Sequence, residues 1–168
     1  MKPVYLSNEH FLEVVDRTPL VSIDLIMKDP DKRLLLGERI NEPARGKWFV
    51  PGGRIMKGET IEEAFERICR DETGYMHALN ETLLLGAFTH YYQTNFALKK
   101  GISTHYVVLA FELLITDKDV LKRLVMNEIK ASDQHLRYRW LAREEVEPRT
   151  NFIPPVDVHE NTLVYFRL

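Results

Sequence analysis

The order of hydrophobic and polar residues divides this chain into short strands and a few helices. Apolar residues at every second position predict a strand over residues 20–27. Turn-forming residues at 29–32 and a returning strand over 33–40 would complete a hairpin. Similar patterns predict further strands at 82–90, 104–115 and 135–141.

Helical patterns occur at both ends of the chain and once in its middle. An amphipathic stretch covers residues 8–16, and a second helix is predicted over about 157–166, after two prolines. The middle helix, 60–73, begins with a capping box made by Thr60 and Glu63, and Gly74 ends it. Few helices among strands with short connections predict an α+β fold with a mixed sheet. Because no repeat or linker is visible, we expect one domain over residues 1–168.

One carboxylate interrupts the apolar face of the middle helix. That face comprises Ile61, Ala64, Phe65, Ile68 and Cys69. At about 100° per residue, Glu72 falls within roughly 20° of Ile61 and Phe65. A buried carboxylate is costly unless it is paired or bound to a metal, so Glu72 is a candidate functional residue. The alternative is a frayed last turn that leaves Glu72 in water.

Charge and composition narrow the classes of function without naming one. The 168 residues carry 23 Lys+Arg and 25 Asp+Glu, a net charge of -2. No overall positive field favours a nucleic-acid partner, so any anion-binding site must be local. No apolar run is long enough for a signal peptide or a membrane span, and the single cysteine allows no disulfide within the chain. We therefore expect a soluble cytoplasmic protein.

Residues 53–75 resemble the Nudix box, a loop and helix that serve phosphate chemistry. The spacing matches at Gly53, Glu59, Arg67, Glu72, Gly74 and Tyr75. Two positions depart from the pattern: Ile68 replaces the glutamate that follows the arginine, and Asp71 replaces the first of two paired glutamates. Because Ile68 also lies on the apolar face of the helix, we expect it in the core rather than at a metal.

This modified box, with collinear matches from about residue 11 to 141, resembles the GDP-mannose mannosyl hydrolases. The resemblance implies a Nudix-type mixed β-sheet sandwiched between helices. It implies hydrolysis of GDP-mannose, or of GDP-glucose, to GDP and the free sugar, by attack of water at the anomeric carbon with inversion. It also implies one Mg²⁺ per subunit, a homodimer and a link to polysaccharide synthesis.

The resemblance also assigns roles to individual residues. His135 would be the general base, and the other residues with catalytic roles would be Asp24, Arg39 and Tyr106. Substrate contacts would come from Arg39, Arg54, Arg67, His90 and Tyr106. Metal ligands would be the Gly52 carbonyl, Glu72 and Gln134. From spacing alone, Arg67 could instead pair with Glu63 or Asp71.

The sequence is also compatible with two other functions. A conventional Nudix pyrophosphohydrolase would give GMP and a sugar 1-phosphate, but the replacement of the box glutamate by Ile68 argues against it. A non-catalytic module that binds a nucleotide sugar would not need a base such as His135. Residues 114–132 are more charged than a tight hairpin would be, and no role is assigned to them.

Overall fold

The described part of the chain contains seven strands and five α-helices. The computed structural model describes residues 5–125, 135–147 and 156–168 of the chain. Within these ranges the strands are β1 (Leu20–Lys28), β2 (Leu34–Arg39), β3 (Trp48–Phe49), β4 (Gly52–Arg54), β5 (Leu83–Tyr92), β6 (Thr104–Leu114) and β7 (His135–Leu141). The helices are α1 (Asn8–Arg17), α2 (Ile61–Thr73), α3 (Lys118–Val125), α4 (Arg143–Val146) and α5 (Glu160–Leu163).

All seven strands belong to one mixed sheet. Its main path runs β3-β2-β1-β6-β5, with β4 paired to β1 and β7 paired to β2. The central pair, β1 and β6, is parallel, and the other pairs are antiparallel. The predicted α+β class with a mixed sheet is therefore confirmed. The register places Asp24 opposite Gly52 and His90 opposite Tyr106.

The predicted hairpin forms between β1 and β2. Asp29 organises its turn, because its carboxylate accepts hydrogen bonds from the backbone N–H groups of Asp31 and Arg33 and pairs with the Arg33 guanidinium at 2.7 Å. Asp29 is 1% exposed, so the pair satisfies a charge that would otherwise be costly to bury. Lys32 completes the turn in the left-handed region, at φ 62°.

Helix α2 begins and ends where the sequence predicts. Thr60 and Glu63 form the capping box, and Gly74 ends the helix in the left-handed region at φ 64°. The predicted apolar face is buried except at Ile61, which is 41% exposed because it occupies the first position of the helix, beyond the sheet. Glu72 is buried on that face at 5% exposure, so the frayed last turn is not what the structure shows.

Two hydrophobic clusters cover the two faces of the sheet. One joins α2 and α3 to β1 and β6 through residues such as Phe65, Ile68 and Leu113. The other joins β2 to residues 156–168, which we call the C-terminal segment, through Leu36, Val156 and Tyr165. The face under the C-terminal segment also bears the polar side chains of Asp24 and His90.

Three short elements, β3, β4 and α4, were not predicted from the sequence, and two helices also differ from the expectation. Helix α3 lies inside the segment 114–132, to which the sequence assigned no role. The predicted C-terminal helix is shorter than expected: α5 covers Glu160–Leu163, and a 3₁₀ turn follows over Val164–Arg167. None of the helices in the described residues has the length and apolar character required to cross a bilayer.

Candidate active site

A cavity of about 130 Å³ lies where β1, β2, β4, β5, β6 and β7 bring polar side chains together. The predicted site residues that line it are Asp24, Arg39, Gly52, Arg54, His90, Tyr106 and His135. Pairing of Arg39 with His135 across β2 and β7 brings the candidate base beside a cation. We call this the inner cavity.

A second, larger cavity adjoins the first. It shares Arg39, Arg54, Tyr106 and Pro43 with the inner cavity and extends to Phe11 and Phe96, whose rings lie 4.9 Å apart. We call it the outer cavity. Because Arg39 and Arg54 line both cavities, their guanidinium groups stand at the junction between the two.

The two arginines at the junction are held by aromatic rings. Arg54 stacks on Phe11 at 3.8 Å from the ring centroid, and Arg39 lies 5.4 Å from the centroid of Phe49. Burial lowers the pKa of Arg54, although an arginine remains charged near neutrality. In the described part of the chain, the buried Nε of Arg39 has no hydrogen-bond partner. A buried donor of this kind is suited to an anionic ligand.

Asp24 and His90 line the inner cavity away from its junction with the outer one. The Tyr165 hydroxyl donates to Asp24 Oδ2 at 2.8 Å. Burial raises the pKa of Asp24 to about 7, and the Tyr165 hydrogen bond and the charge of Arg39 oppose this shift. Burial, with the charge of His159, lowers the pKa of His90 to about 4, so the His90 ring is neutral at pH 7. Burial also raises the pKa of Tyr106.

His135 and Glu72 form a buried pair. The Nδ1 atom of His135 lies 3.1 Å from Glu72 Oε2, and the residues are 2% and 5% exposed. Tyr138 supports the pair by donating to the Glu72 backbone carbonyl at 2.7 Å. Gly37 leaves room for the imidazole, since a Cβ there would lie 2.5 Å from the ring of His135. These two residues were predicted to have separate roles, whereas the structure places them in contact.

Arg67 does not line either cavity. Its guanidinium pairs with Glu59 at 2.5 Å and donates to the backbone carbonyl of Arg54 at 2.8 Å. The hydrogen bond to Arg67 lowers the pKa of Glu59, so this carboxylate stays ionised. Neither partner suggested by spacing is the principal one, because Asp71 lies at 4.0 Å. Arg67 therefore braces the loop that presents Arg54.

The substituted box position is part of the core, as predicted. Ile68 is 1% exposed in the cluster under α2. A Cβ added at Gly53 would lie 3.1 Å from Ile68 Cγ1, so the loop rests directly on this side chain. No carboxylate can be presented from position 68 without removing an apolar contact beneath the loop. Cys69 is also buried, as expected for a packing residue.

The residues implied as metal ligands offer oxygen donors, the type that Mg²⁺ prefers. Glu72 contributes a carboxylate and Gly52 a backbone carbonyl, while Gln134 lies outside the described residues. Within the described ranges, no three His, Cys, Asp or Glu side chains stand close enough to hold a metal ion by themselves. The donor set therefore fits an ion that completes its coordination with phosphate oxygens of a ligand.

Comparison with known proteins identifies the family. The NUDIX domain model matches residues 18–159, so the chain belongs to the Nudix family. Its fold is the Nudix fold, with a mixed sheet flanked by helices. Members of this family are hydrolases that generally use divalent metals such as Mg²⁺ or Mn²⁺. Nudix homologues bind nucleotide sugars such as ADP-ribose.

Three relatives show how far the similarity extends. The chain is 39% identical to the low-salt glycan biosynthesis protein Agl8 of Haloferax volcanii over 116 residues, 68% of this chain and 71% of that protein. It is 38% identical to the ADP-ribose pyrophosphatase of Methanocaldococcus jannaschii over 71 residues, 42% of this chain and 40% of the relative. The crystal structure of a MutT protein from Methanosarcina mazei aligns with 90% of this chain, over 93% of its own length. The TM-score of the alignment is 0.62, and the sequence identity is 17%.

Sequence reasoning missed three residues around the inner cavity. Tyr92 and Phe49 line it, and Tyr165 contacts Asp24 from behind. The period-two alternation from His90 places Tyr92 on the same face of β5, and this signal could have identified Tyr92. Tyr165 had no such signal, because it lies 141 residues from Asp24 in the sequence.

Proposed function

We propose that this protein hydrolyses a nucleotide sugar, GDP-mannose in the first instance, to GDP and the free sugar. The observation that carries the proposal is the pair of adjoining cavities, with Arg39 and Arg54 at their junction. A ligand with a diphosphate between two organic groups matches this arrangement, because guanidinium groups bind phosphate oxygens and each organic group can occupy one cavity.

The side chains that line the two cavities favour one orientation of the ligand. The inner cavity holds Asp24, His90 and His135, polar groups that suit the hydroxyls of a sugar. The outer cavity offers the rings of Phe11 and Phe96, which suit a planar base. The anomeric carbon then lies between the diphosphate and the polar end.

The reaction places three demands on the residues around that carbon. His135 takes the proton of the attacking water, and Glu72 fixes the ring by facing Nδ1, so that Nε2 is the nitrogen that acts as base. Asp24 faces the positive charge that develops on the sugar ring. Arg39 and Tyr106 stabilise the departing diphosphate. Attack opposite the leaving group gives inversion.

A divalent ion would be held by Glu72, the Gly52 carbonyl and Gln134. When bound, such an ion neutralises part of the charge on the diphosphate. With Ile68 in the core, the chain offers fewer carboxylates than a site that binds several ions needs. The small number of carboxylates favours cleavage at the sugar carbon over attack at phosphorus.

The position of isotope label tests the reaction directly. The protein is incubated with GDP-mannose and Mg²⁺ in ¹⁸O-labelled water, and the products are analysed by mass spectrometry. Label in mannose with GDP as coproduct is the expected result. Label in GMP or in mannose 1-phosphate would identify a conventional pyrophosphohydrolase, and binding without turnover would identify a non-catalytic module. Parallel reactions with GDP-glucose and ADP-ribose establish the preference for base and sugar.

A second experiment separates two roles of Glu72. If Glu72 is a metal ligand, Glu72→Gln raises the Mg²⁺ concentration needed for half-maximal activity. If it only orients His135, turnover falls at every Mg²⁺ concentration and the titration curves superimpose after scaling. Glu59→Gln is the matched control, because Glu59 is a buried carboxylate that pairs with Arg67 outside both cavities.

The wider setting is part of the same proposal. The name of Agl8 connects that relative with glycan biosynthesis, which is a process that consumes nucleotide sugars. We extend this to the present chain as a hypothesis, together with a homodimeric state. Sedimentation velocity tests the homodimer, and a monomer at micromolar concentration would contradict it.

A further inference from the structure

The C-terminal segment closes the inner end of the cavity. Asp24 on β1, His90 on β5 and Tyr165 beyond α5 converge there. The Tyr165 hydroxyl donates to Asp24 Oδ2 at 2.8 Å and lies 3.5 Å from His90 Nε2. Asp24 Oδ1 lies against the backbone of Gly52, where an added Cβ would come within 2.9 Å of it. One oxygen of the Asp24 carboxylate, Oδ2, is therefore held by a hydrogen bond, and the other lies close to the loop.

Packing fixes the position of the Tyr165 ring. Tyr165 is 1% exposed and belongs to the hydrophobic cluster under the C-terminal segment. Its ring meets Phe88 edge to face, with centroids 5.3 Å apart. Because a closely packed ring has little freedom to rotate, its hydroxyl is presented to Asp24 at a set point.

The same segment makes a second contact with the cavity wall. His159 stacks on Phe49 with ring centroids 4.6 Å apart, and its ring lies 5.2 Å from that of Tyr92. Phe49 and Tyr92 both line the inner cavity. The C-terminal segment thus supports the cavity at two separate places.

We propose that Tyr165 is a positioning residue of the active site, whose hydroxyl orients the Asp24 carboxylate toward the sugar. This inference rests on the proposed function, because it takes Asp24 as the group that faces the reacting sugar. It assigns to the end of the chain a role that goes beyond filling the core.

Removal of the hydroxyl alone tests this role. Tyr165→Phe keeps the ring and its contact with Phe88. We expect kcat on GDP-mannose to fall about 10- to 100-fold, the range for a lost hydrogen bond to a charged group, while KM changes less than about threefold. Thr162→Val is the matched control: Thr162 is 1% exposed in the same segment and does not line the cavity, so its kcat should not change.

A double-mutant cycle separates positioning from packing. In an Asp24→Asn background, Tyr165→Phe should lower kcat less than about twofold further, because the group it orients is already altered. An equal loss in both backgrounds would overturn the inference, since it would show that the hydroxyl acts without Asp24. An unchanged kcat in a folded Tyr165→Phe variant would overturn it as well.

The proposed function and the role of Tyr165 can fail separately. If the wild-type protein does not hydrolyse GDP-mannose, the proposed function fails at once. The contact between Tyr165 and Asp24 is then measured as the coupling between the same substitutions in urea unfolding. Additive free energies would show that the hydroxyl does not hold the carboxylate, and the inference would fail too.

Discussion

Helix α2 and the strand walls of the cavity use their charged residues in opposite ways. On α2 and its preceding loop, Arg67 is paired with Glu59, and Ile68 is in the core. On the strands, Arg39 and Arg54 face a cavity, and Asp24 stands at its inner end. The helix carries the family motif, whereas most of the groups placed for a ligand come from elsewhere.

This contrast shows that residues of a motif can serve to support the structure of the site. The arginine of the box braces the loop by donating to the Arg54 carbonyl, and the buried isoleucine supports Gly53 from below. On the helix itself, Glu72 is the motif residue that contacts a proposed reacting group, His135. A motif match therefore locates the site in the fold without identifying its reacting groups.

The largest effect should come from His135, at the start of β7. Replacement of His135 by Gln should lower kcat on GDP-mannose about 10²- to 10⁴-fold, because a positioned base is lost, while GDP affinity measured by calorimetry stays within about threefold. His105→Gln is the control, since His105 stacks on Tyr91 outside both cavities. Unchanged turnover in the His135 variant would remove this residue from the mechanism.

Restoring the box carboxylate should damage the helix rather than the chemistry. Ile68→Glu places a charge in a site that is 1% exposed, and we expect a loss of about 4 kcal/mol in the free energy of unfolding, measured in urea. Ile68→Leu should lose about 1 kcal/mol. A stable Glu variant that releases GMP would show that position 68 can still serve the site.

Two arginine variants test the contrast between bracing and binding. Arg54→Gln should weaken GDP binding about 10- to 100-fold, because it removes a cation from the junction of the cavities. Arg67→Gln leaves Glu59 buried without its partner and should lower the free energy of unfolding by about 3 kcal/mol. Its affinity for GDP should change less than about threefold, and a loss equal to that of Arg54→Gln would place Arg67 at the ligand.

The two glycines of the loop should respond differently to one added methyl group. A Cβ at Gly52 would lie 2.6 Å from the Ile23 backbone carbonyl, so β1 and β4 must separate. At Gly53 the nearest atom, at 3.1 Å, belongs to the Ile68 side chain, which can adjust. We expect about 2 kcal/mol of destabilisation for Gly52→Ala and less than half of that for Gly53→Ala, measured by urea unfolding. Equal losses would contradict the close approach at Gly52.

A modest, pH-dependent effect is expected for His90. Its pKa is about 4 in the folded protein and about 6.5 when unfolded. Between these values the unfolded state binds a proton that the folded state does not, so His90 reduces stability as the pH falls. Relative to His90→Gln, the wild type should lose about 1 to 2 kcal/mol between pH 6.5 and pH 5. Parallel curves for the two proteins would show that His90 titrates normally.

The sequence predicted local structure well because local rules determine it. The caps at Thr60 and Gly74 and the turn at Asp29 depend on residues within a few positions of each other. The core position of Ile68 followed from helical spacing alone. Ile61 was the exception, since burial at the end of a helix depends on how far the sheet extends.

Contacts between distant parts of the chain could not be predicted in the same way. The pairing of Arg67 with Glu59 depends on the path of the loop, and that of His135 with Glu72 depends on where β7 docks. Tyr165 reaches Asp24 only because the C-terminal segment folds back over the sheet. The spacing between neighbouring residues carries no information about any of these contacts.

The stacking of Arg54 on Phe11 joins the N-terminal helix to the ligand-binding region. If α1 opens locally, Arg54 loses its aromatic support at 3.8 Å, and any diphosphate bound there loses a well-placed cation. By thermodynamic linkage, a ligand held by Arg54 must in turn suppress that opening. Occupancy of the cavities should therefore slow amide hydrogen exchange along α1, a helix that carries none of the proposed reacting groups.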